Sequence, residues 1–397
     1  MSLAAFVLAG TFLHATSVQA KTFVVSNTGV NCFPNVTGPL YTTIQAAVNA
    51  VPIASSATHV VVVCPGTYPE QLKITKNVTI TGVLRDGIDP PEIDGNSNEA
   101  KIVPPLAGLV GDPDLPGGMA AQVSVMNVAD VNLTNLRVDG TDIGCPAAGG
   151  LPVPVAGIAL YNAGLLGTGY RVTVSKSVVH NQIGYCPGGS GGLERSYQGI
   201  GIAAHDSWFT LDSNSLSNVD LQLVRQVGGI SKITANFLNL AWQGIVLTDV
   251  SAVSGVNNVG STVSSNILSS LTTGLYVIRS SHVLLSSNTV TNWSGDAIAV
   301  IDNSSDNEIL SNKIIDAWHG IYLNTGAARN TVRLNTIIRA VRIGIIDTFS
   351  GGSNVITGNT INQTPVGIWT YLAAGDTINP NTFYNTKRLN VDNVQEP

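Results

Sequence analysis

Two short patterns recur in phase along this chain, and they limit its fold more than any other feature. The first is Asn, any residue, then an aliphatic. Asn214, Asn236, Asn266, Asn288, Asn312, Asn335 and Asn359 each open one, at steps of 22, 30, 22, 24, 23 and 24 residues. The second is Gly-aliphatic-x-aliphatic, starting at Gly157, Gly199, Gly244, Gly274 and Gly320, and shortened at Gly344 and Gly367, with Ala297 filling one slot. From Asn236 onward it trails the first by eight or nine residues. Self-similarity at such a period marks a stacked repeat architecture. Each unit holds three short alternating runs divided by small or polar residues, and a strand of three to five residues fits each run at about 3.3 Å per residue. No helix fits beside three strands, so one unit is one turn of a coil, and equivalent positions stack about 4.8 Å apart. Ile245 and Leu247, like Leu275 and Val277, then face inward, while Val246 and Tyr276 face out.

The recurring Asn has a physical reason. A sharp bend between strands needs a left-handed backbone, which Asn tolerates. Its amide both donates and accepts, so stacked amides can satisfy one another where lone buried polar groups would be costly. Composition agrees with a coil of this kind. Charged residues make up 11% and hydrophobic residues 44%, the reverse of a disordered chain. A net charge of −6 argues against a nucleic-acid partner. Beyond the N-terminus no apolar run reaches the ~20 residues of a membrane span.

Residues 1–20 hold an apolar stretch, 3–13, and end in Val18-Gln19-Ala20, the small-x-small pattern of a cleaved signal peptide, although no Lys or Arg precedes the stretch. The expectation is a secreted protein, extracellular or periplasmic, with one domain over residues 21–397. Its four cysteines, Cys32, Cys64, Cys145 and Cys186, then suggest two disulfides. Cys145 and Cys186 share a Cys-Pro step within Gly-rich loops, which argues for pairing with each other and leaves Cys32 with Cys64.

With these landmarks the chain resembles the right-handed parallel β-helix, or pectin-lyase-like, family. The segment Tyr41-Thr-Thr-Ile-Gln-Ala-Ala-Val-Asn-Ala-Val looks like that family's N-terminal capping helix, with Ala46, Ala47 and Ala50 toward the first coil. A cap hides an open sheet end that would otherwise recruit further strands. VVVVCPGTYP at 60–69 and EQLKITKNVTITG at 70–82 resemble the family's first coils. The resemblance implies an all-β fold, a single-stranded right-handed parallel β-helix solenoid with an N-terminal capping helix. It is weak for activity, because one fold hosts many chemistries.

Insertions locate a groove. The steps from Gln122 to Gly157 and from Gly157 to Gly199 are 35 and 42 residues. The surplus, 144–155 and 184–198, precedes the outward strands on one edge, and a third insertion, 250–260, lies on the opposite edge. Insertions on one face of a solenoid commonly mark the binding face. Counting along each strand puts Arg225, Asp249, Arg279 and Asp302 on the groove floor, with Asp347 further on. Such a strip either positions an anionic sugar chain, with Arg on a carboxylate and Asp as acid or base, or forms a salt-bridge ladder that only keeps register.

His205 and Asp206, in IGIAAHDSW, resemble part of the Asp-Pro-His-Asp motif of mannuronan C-5 epimerases. Ala203 and Ala204 stand where those enzymes carry the Asp and Pro, and Ile200 where they carry a Tyr. His205 is then an acid or base near neutral pH, or a surface His bonded to Asp206. Tyr161, Tyr276, Trp242 and His319 are candidate sugar contacts, since aromatic rings stack on sugar faces. His180, Tyr322, Trp369 and Tyr371 are further polar or outward aromatic positions. Inverting glycosidases need two carboxylates about 6.5–9.5 Å apart, a separation open to Asp206 with Asp249 or Asp249 with Asp302. No metal-ligand cluster or cofactor motif is present, so neither is expected. The expected partner is a polysaccharide, bound by a monomer that uses no nucleic acid or membrane. The groove serves a polysaccharide lyase or glycoside hydrolase, or alternatively a non-catalytic matrix-binding or adhesion protein.

Overall fold

The structure is a computed structural model. It describes residues 19–32, 38–53, 58–83, 99–141, 143–144, 147–148, 151–164, 171–187, 193–195, 198–252, 260–291, 294–373, 375–386 and 388–392. The expected signal peptide and Cys145 lie outside them, apart from Gln19 and Ala20.

Each coil runs through three strand segments, and equivalent segments pair in parallel with the coils before and after. Among the described residues, one sheet has 14 strands, and a second of 22 strands carries the other two faces. The two faces merge because Phe237–Thr248 and Ile267–Ile278 run through the corner between them. Inward aliphatics form one continuous core along the axis, with Ile245, Leu247, Leu275 and Val277 each at most 1% exposed. The helix Ile44–Ala50 covers the first coils, capped by the Thr43 hydroxyl and by the Glu70 carboxylate, which accepts from the N–H groups of Ile44 and Gln45 at 2.8 and 2.9 Å. Its buried face is Ile44, Ala47 and Val48, whereas Ala46 and Ala50 are exposed. The helical period selects i, i+3 and i+4, and the larger Ile and Val displace two of the three expected alanines. Cys32 is bonded to Cys64.

The seven asparagines stand in one column, and Asn381 extends it to eight. Each side-chain N–H donates to the carbonyl oxygen of the next Asn at 2.9–3.0 Å. Their backbones are not left-handed. The residue before each takes that conformation, as at Ser213, Ala235, Ser265, Ser287, Ser311, Leu334 and Gly358. The bend is thus made one residue early, which turns the Asn amide into the interior. A second column, Asn307, Asn330 and Asn354, occupies another corner. The Gly column is set by close approach. A Cβ on Gly244, Gly274, Gly320 or Gly344 would lie under 3.0 Å from a carbonyl oxygen of the next coil. Strand register places Gly201, not Gly199, beside Gly157, because Ala156 pairs with Ile200 and Ile158 with Ile202. The tandem Gly-Ile-Gly-Ile fits the pattern in two phases, and packing selects the second.

Candidate functional site: a walled cleft on the outward sheet

Three neighbouring strands, Val155–Tyr161, Gly199–His205 and Gln222–Val227, supply the cleft floor. Their register stacks Ala159, Ala203 and Arg225 in one outward column and Tyr161, His205 and Val227 in the next. The two alanines keep the floor low. A Pro- and Gly-rich turn ending at Met119 folds over it, and Leu115 and Met119 pack against Ala121, Ala156, Ala159, Ile200 and Ala203. With Pro116, Gly117 and Pro154 these side chains enclose a cavity of about 280 Å³, open to Tyr161, His205 and Arg225. The insertions at 144–155 and 184–198 each form a short antiparallel hairpin, Ala147–Ala148 with Leu151–Pro152 and Tyr185–Pro187 with Leu193–Arg195. Most of 250–260 falls outside the described residues.

Arg225 is exposed, and among the described residues no carboxylate pairs with it. Its charge therefore stands open at the cleft mouth. His205 Nδ1 lies 2.9 Å from Asp206 Oδ2, a close contact without hydrogen-bond alignment. The His205 and Tyr161 rings are 5.7 Å apart. Among the described residues, no Asp or Glu lines the cavity.

The expected charged strip divides between three columns. Asp206, Asp249, Arg279 and Asp302 occupy the bend that ends the outward strand, all left-handed, with φ of 47°, 54°, 46° and 54°. Arg225 belongs instead to the mid-strand column, paired with Ala203 and Val246. Asp347 faces inward beneath Leu323 and is 0% exposed, so it is no part of the groove floor. Alternation along a strand sends positions two apart to the same face, and a count that crosses the bend loses that parity. Asp249 accepts from Arg279 Nε and Nη2 at 2.8 and 3.1 Å. The Arg279 hydrogen bond holds the Asp249 carboxyl below its usual range. This pair is the closed register ladder, away from the cavity lining. Asp206 and Asp249 lie two coils apart, with Gly228 between them.

The remaining candidates lie beyond the cleft. Tyr276 and Tyr322 share the Arg225 column. Burial and the charges of Asp296 and Asp302 push the Tyr276 hydroxyl above its ordinary value. Trp242 and Trp318 are 55% and 40% exposed on the corner before the outward strand, and the Arg342 guanidinium sits 5.8 Å from the Trp318 ring. His319 Nδ1 lies 2.8 Å from Asp296 Oδ1. Trp369 is outward in register but only 7% exposed, packed with Ile343, Ile346 and Tyr322. His180 is on a different face, where it accepts from Arg137 Nε at 3.0 Å, and burial lowers its imidazole to about 4. Among the described residues, no three His, Cys, Asp or Glu side chains are grouped to hold a metal. Sequence reasoning missed the Leu115–Met119 wall, although its Pro-Gly content before an outward strand matches the other insertions. It also missed Asp296, which lies one coil before His319 in the same column.

Comparison with known proteins bears on the fold. The family described as a right handed beta helix region matches residues 243–393. A comparison with curated protein sequences found no match. Among solved structures, the chain is similar to the A-module of a mannuronan C-5 epimerase from Azotobacter vinelandii, with a TM-score of 0.50 and 15% identity over 89% of this chain and 93% of that one. It is also similar to a DFA-IIIase from Arthrobacter chlorophenolicus, with a TM-score of 0.44 and 14% identity over 91% and 88%. For a pectin methylesterase from Erwinia chrysanthemi the TM-score is 0.38, with 10% identity over 78% and 80%. The chain is a right-handed parallel β-helix.

Proposed function

We propose that this exported β-helix binds an acidic polysaccharide in the walled cleft and cleaves it by β-elimination. The observation that carries the reading is Arg225, an open guanidinium that lines one cavity with His205 and Tyr161, where no described residue brings a carboxylate. Arg225 pairs with the carboxylate of a uronate ring, and a planar fork suits that contact. Neutralising the carboxylate makes the C5 proton removable. His205, as neutral imidazole, takes that proton. The C5–H electrons form the C4–C5 double bond, the C4–O bond breaks, and the leaving oxygen takes the Tyr161 phenolic proton. Solvent returns that proton to Tyr161 and accepts the one on His205.

Hydrolysis with two carboxylates has less support, since the described residues of the cavity lining offer none and Asp249 is engaged by Arg279. The shared fold with a mannuronan epimerase is a precedent for sugars on this scaffold and does not assign a substrate. A non-catalytic matrix-binding protein is the second reading, favoured by Ala203 and Ala204 at the motif positions where an epimerase-type acid would stand. The Cys32–Cys64 disulfide suits an oxidising compartment, consistent with cleavage after Ala20 and export.

Incubation with a panel of polyuronates separates these readings. Ultraviolet absorbance from the unsaturated product supports elimination. New reducing ends without that absorbance mean hydrolysis, and retained binding with neither means an adhesion module. Failure of every acidic polymer to bind overturns the cleft assignment.

A further inference from the structure

The outward column that holds Arg225 continues through Val246, Tyr276, Ala299, Tyr322, Ile346 and Trp369. Planar groups therefore stand at every second coil and short aliphatic ones between them. Val246 and Ala299 are 3% and 0% exposed, yet neither belongs to the interior core. They are covered from outside by neighbours on their own face, while Tyr276 and Tyr322 stay partly exposed. Two coils span about 10 Å. That is the advance of two pyranose rings in an extended linear chain, which turns the same ring face downward at every second sugar. Trp242 and Trp318 border this track on one edge and the Asp249–Arg279 bend on the other. Arg225 is open and cationic, whereas further along Asp249 is engaged by Arg279 and Asp296 lies 2.8 Å from His319.

We propose that Arg225, Tyr276 and Tyr322 form a ruler for one extended polysaccharide lying along the helix axis. A uronate sits on Arg225, and the sugars two and four residues further along stack on Tyr276 and Tyr322. The proposal rests on the polysaccharide reading of the cleft and narrows it to linear chains that present the same ring face at every second sugar.

The test uses the full chain and length-graded oligomers of gellan, whose linear tetrasaccharide repeat carries a single glucuronate, beside oligomers of polygalacturonate and hyaluronan. Affinity is read by calorimetry. The expected result is affinity that climbs with length until the oligomer spans Arg225 to Tyr322. Tyr276→Ala and Tyr322→Ala should each weaken long oligomers by about fivefold, with the penalty vanishing for oligomers too short to reach the ring. Tyr276→Phe should restore binding, because stacking needs the ring and not the hydroxyl. Length-independent affinity, or no penalty in either alanine variant, overturns the ruler while Arg225-dependent binding leaves the cleft in place. Loss of binding to all three polymers sinks the cleft reading itself.

Discussion

The coils up to His205 and those from Gly244 onward share one backbone plan but differ in what fills their corners. From Asn214 to Asn381 an unbroken amide column runs up one corner, with aliphatics stacked inside it. Among the described residues, the earlier coils have no such column. Their polar side chains are individually fitted. Gln182 donates to Gln122 at 2.8 Å, Lys101 and His180 flank Asp139 at 2.6 and 3.5 Å, and Arg137 reaches Glu99 at 3.4 Å. Insertions interrupt the period in the same coils, and the cleft lies across the boundary, with its floor on both sides of Asn214. A repeat stabilises by sameness, since each rung satisfies its neighbours, whereas a cavity needs departures from sameness. The molecule keeps these in adjacent stretches.

The sharpest way to break that comparison is to remove a rung. Asn288 accepts from the Asn266 backbone N–H and side chain, and it donates to Val263 and Asn312. Asn288→Ala leaves several buried groups unpaired, at about 1–3 kcal/mol each, so the urea midpoint should fall by the equivalent of about 3 kcal/mol or more. Asn218→Ala, which loses one partly buried bond to Asn181, should cost about 1 kcal/mol. Equal losses would show that the amide column is not what distinguishes the later coils.

Arg225→Ala should lower affinity for acidic polymers at least about tenfold, as expected for a lost charge-assisted contact, with thermal stability unchanged. Calorimetry against the preferred oligomer checks this.

Asp347 tests the interior of the later coils. Burial, together with the neighbouring Asp376 carboxyl, raises its value to about 8, against about 3.9 in an unfolded chain. Between those values the folded protein binds more protons than the unfolded one, so stability should fall as pH rises, by up to about 1.4 kcal/mol per pH unit. The loss should be complete above the folded value. Asp347→Asn should flatten urea midpoints measured from mildly acidic to mildly alkaline pH. A slope identical to that of the parent would mean that the carboxyl titrates normally.

The smallest effect is expected at Asp249→Asn. Both partners, Asp249 and Arg279, are about half exposed, and exposed pairs contribute little. Melting temperature and turnover should both stay near the parent values. A collapse of turnover would move the reaction two coils along the axis, away from His205.

Much of this was legible in the text of the chain, and the limits have physical causes. Stacked positions could be read because the coil length is nearly constant, so Asn288 and Asn312 announce each other. Parity was harder. Arg225 and Asp249 look equivalent when five residues are counted from each strand start, but one lies in a strand and the other past its bend. Gly199 and Gly201 are ambiguous in sequence and are resolved only by the pairing of Ile200 with Ala156. The wall at Leu115 and Met119 has no counterpart in other coils, so no period exposes it. Helix Ile44–Ala50 was recognisable, yet its buried face follows rotation about the axis and not the run of alanines.

The second amide column ends on a different residue. Asn307, Asn330 and Asn354 each accept from the coil below or donate to the coil above, but the next position is Asp376, which accepts from the Asn354 backbone N–H at 2.8 Å. A carboxylate can receive and has no N–H to pass on. The 14-stranded sheet stops in the same place, with Thr377–Ile378 as its last strand. A strand pairing with Thr377–Ile378 would therefore meet a carboxylate at the corner where the coils below offer an amide donor, and this corner resists the edge-to-edge pairing that a continued amide column would invite.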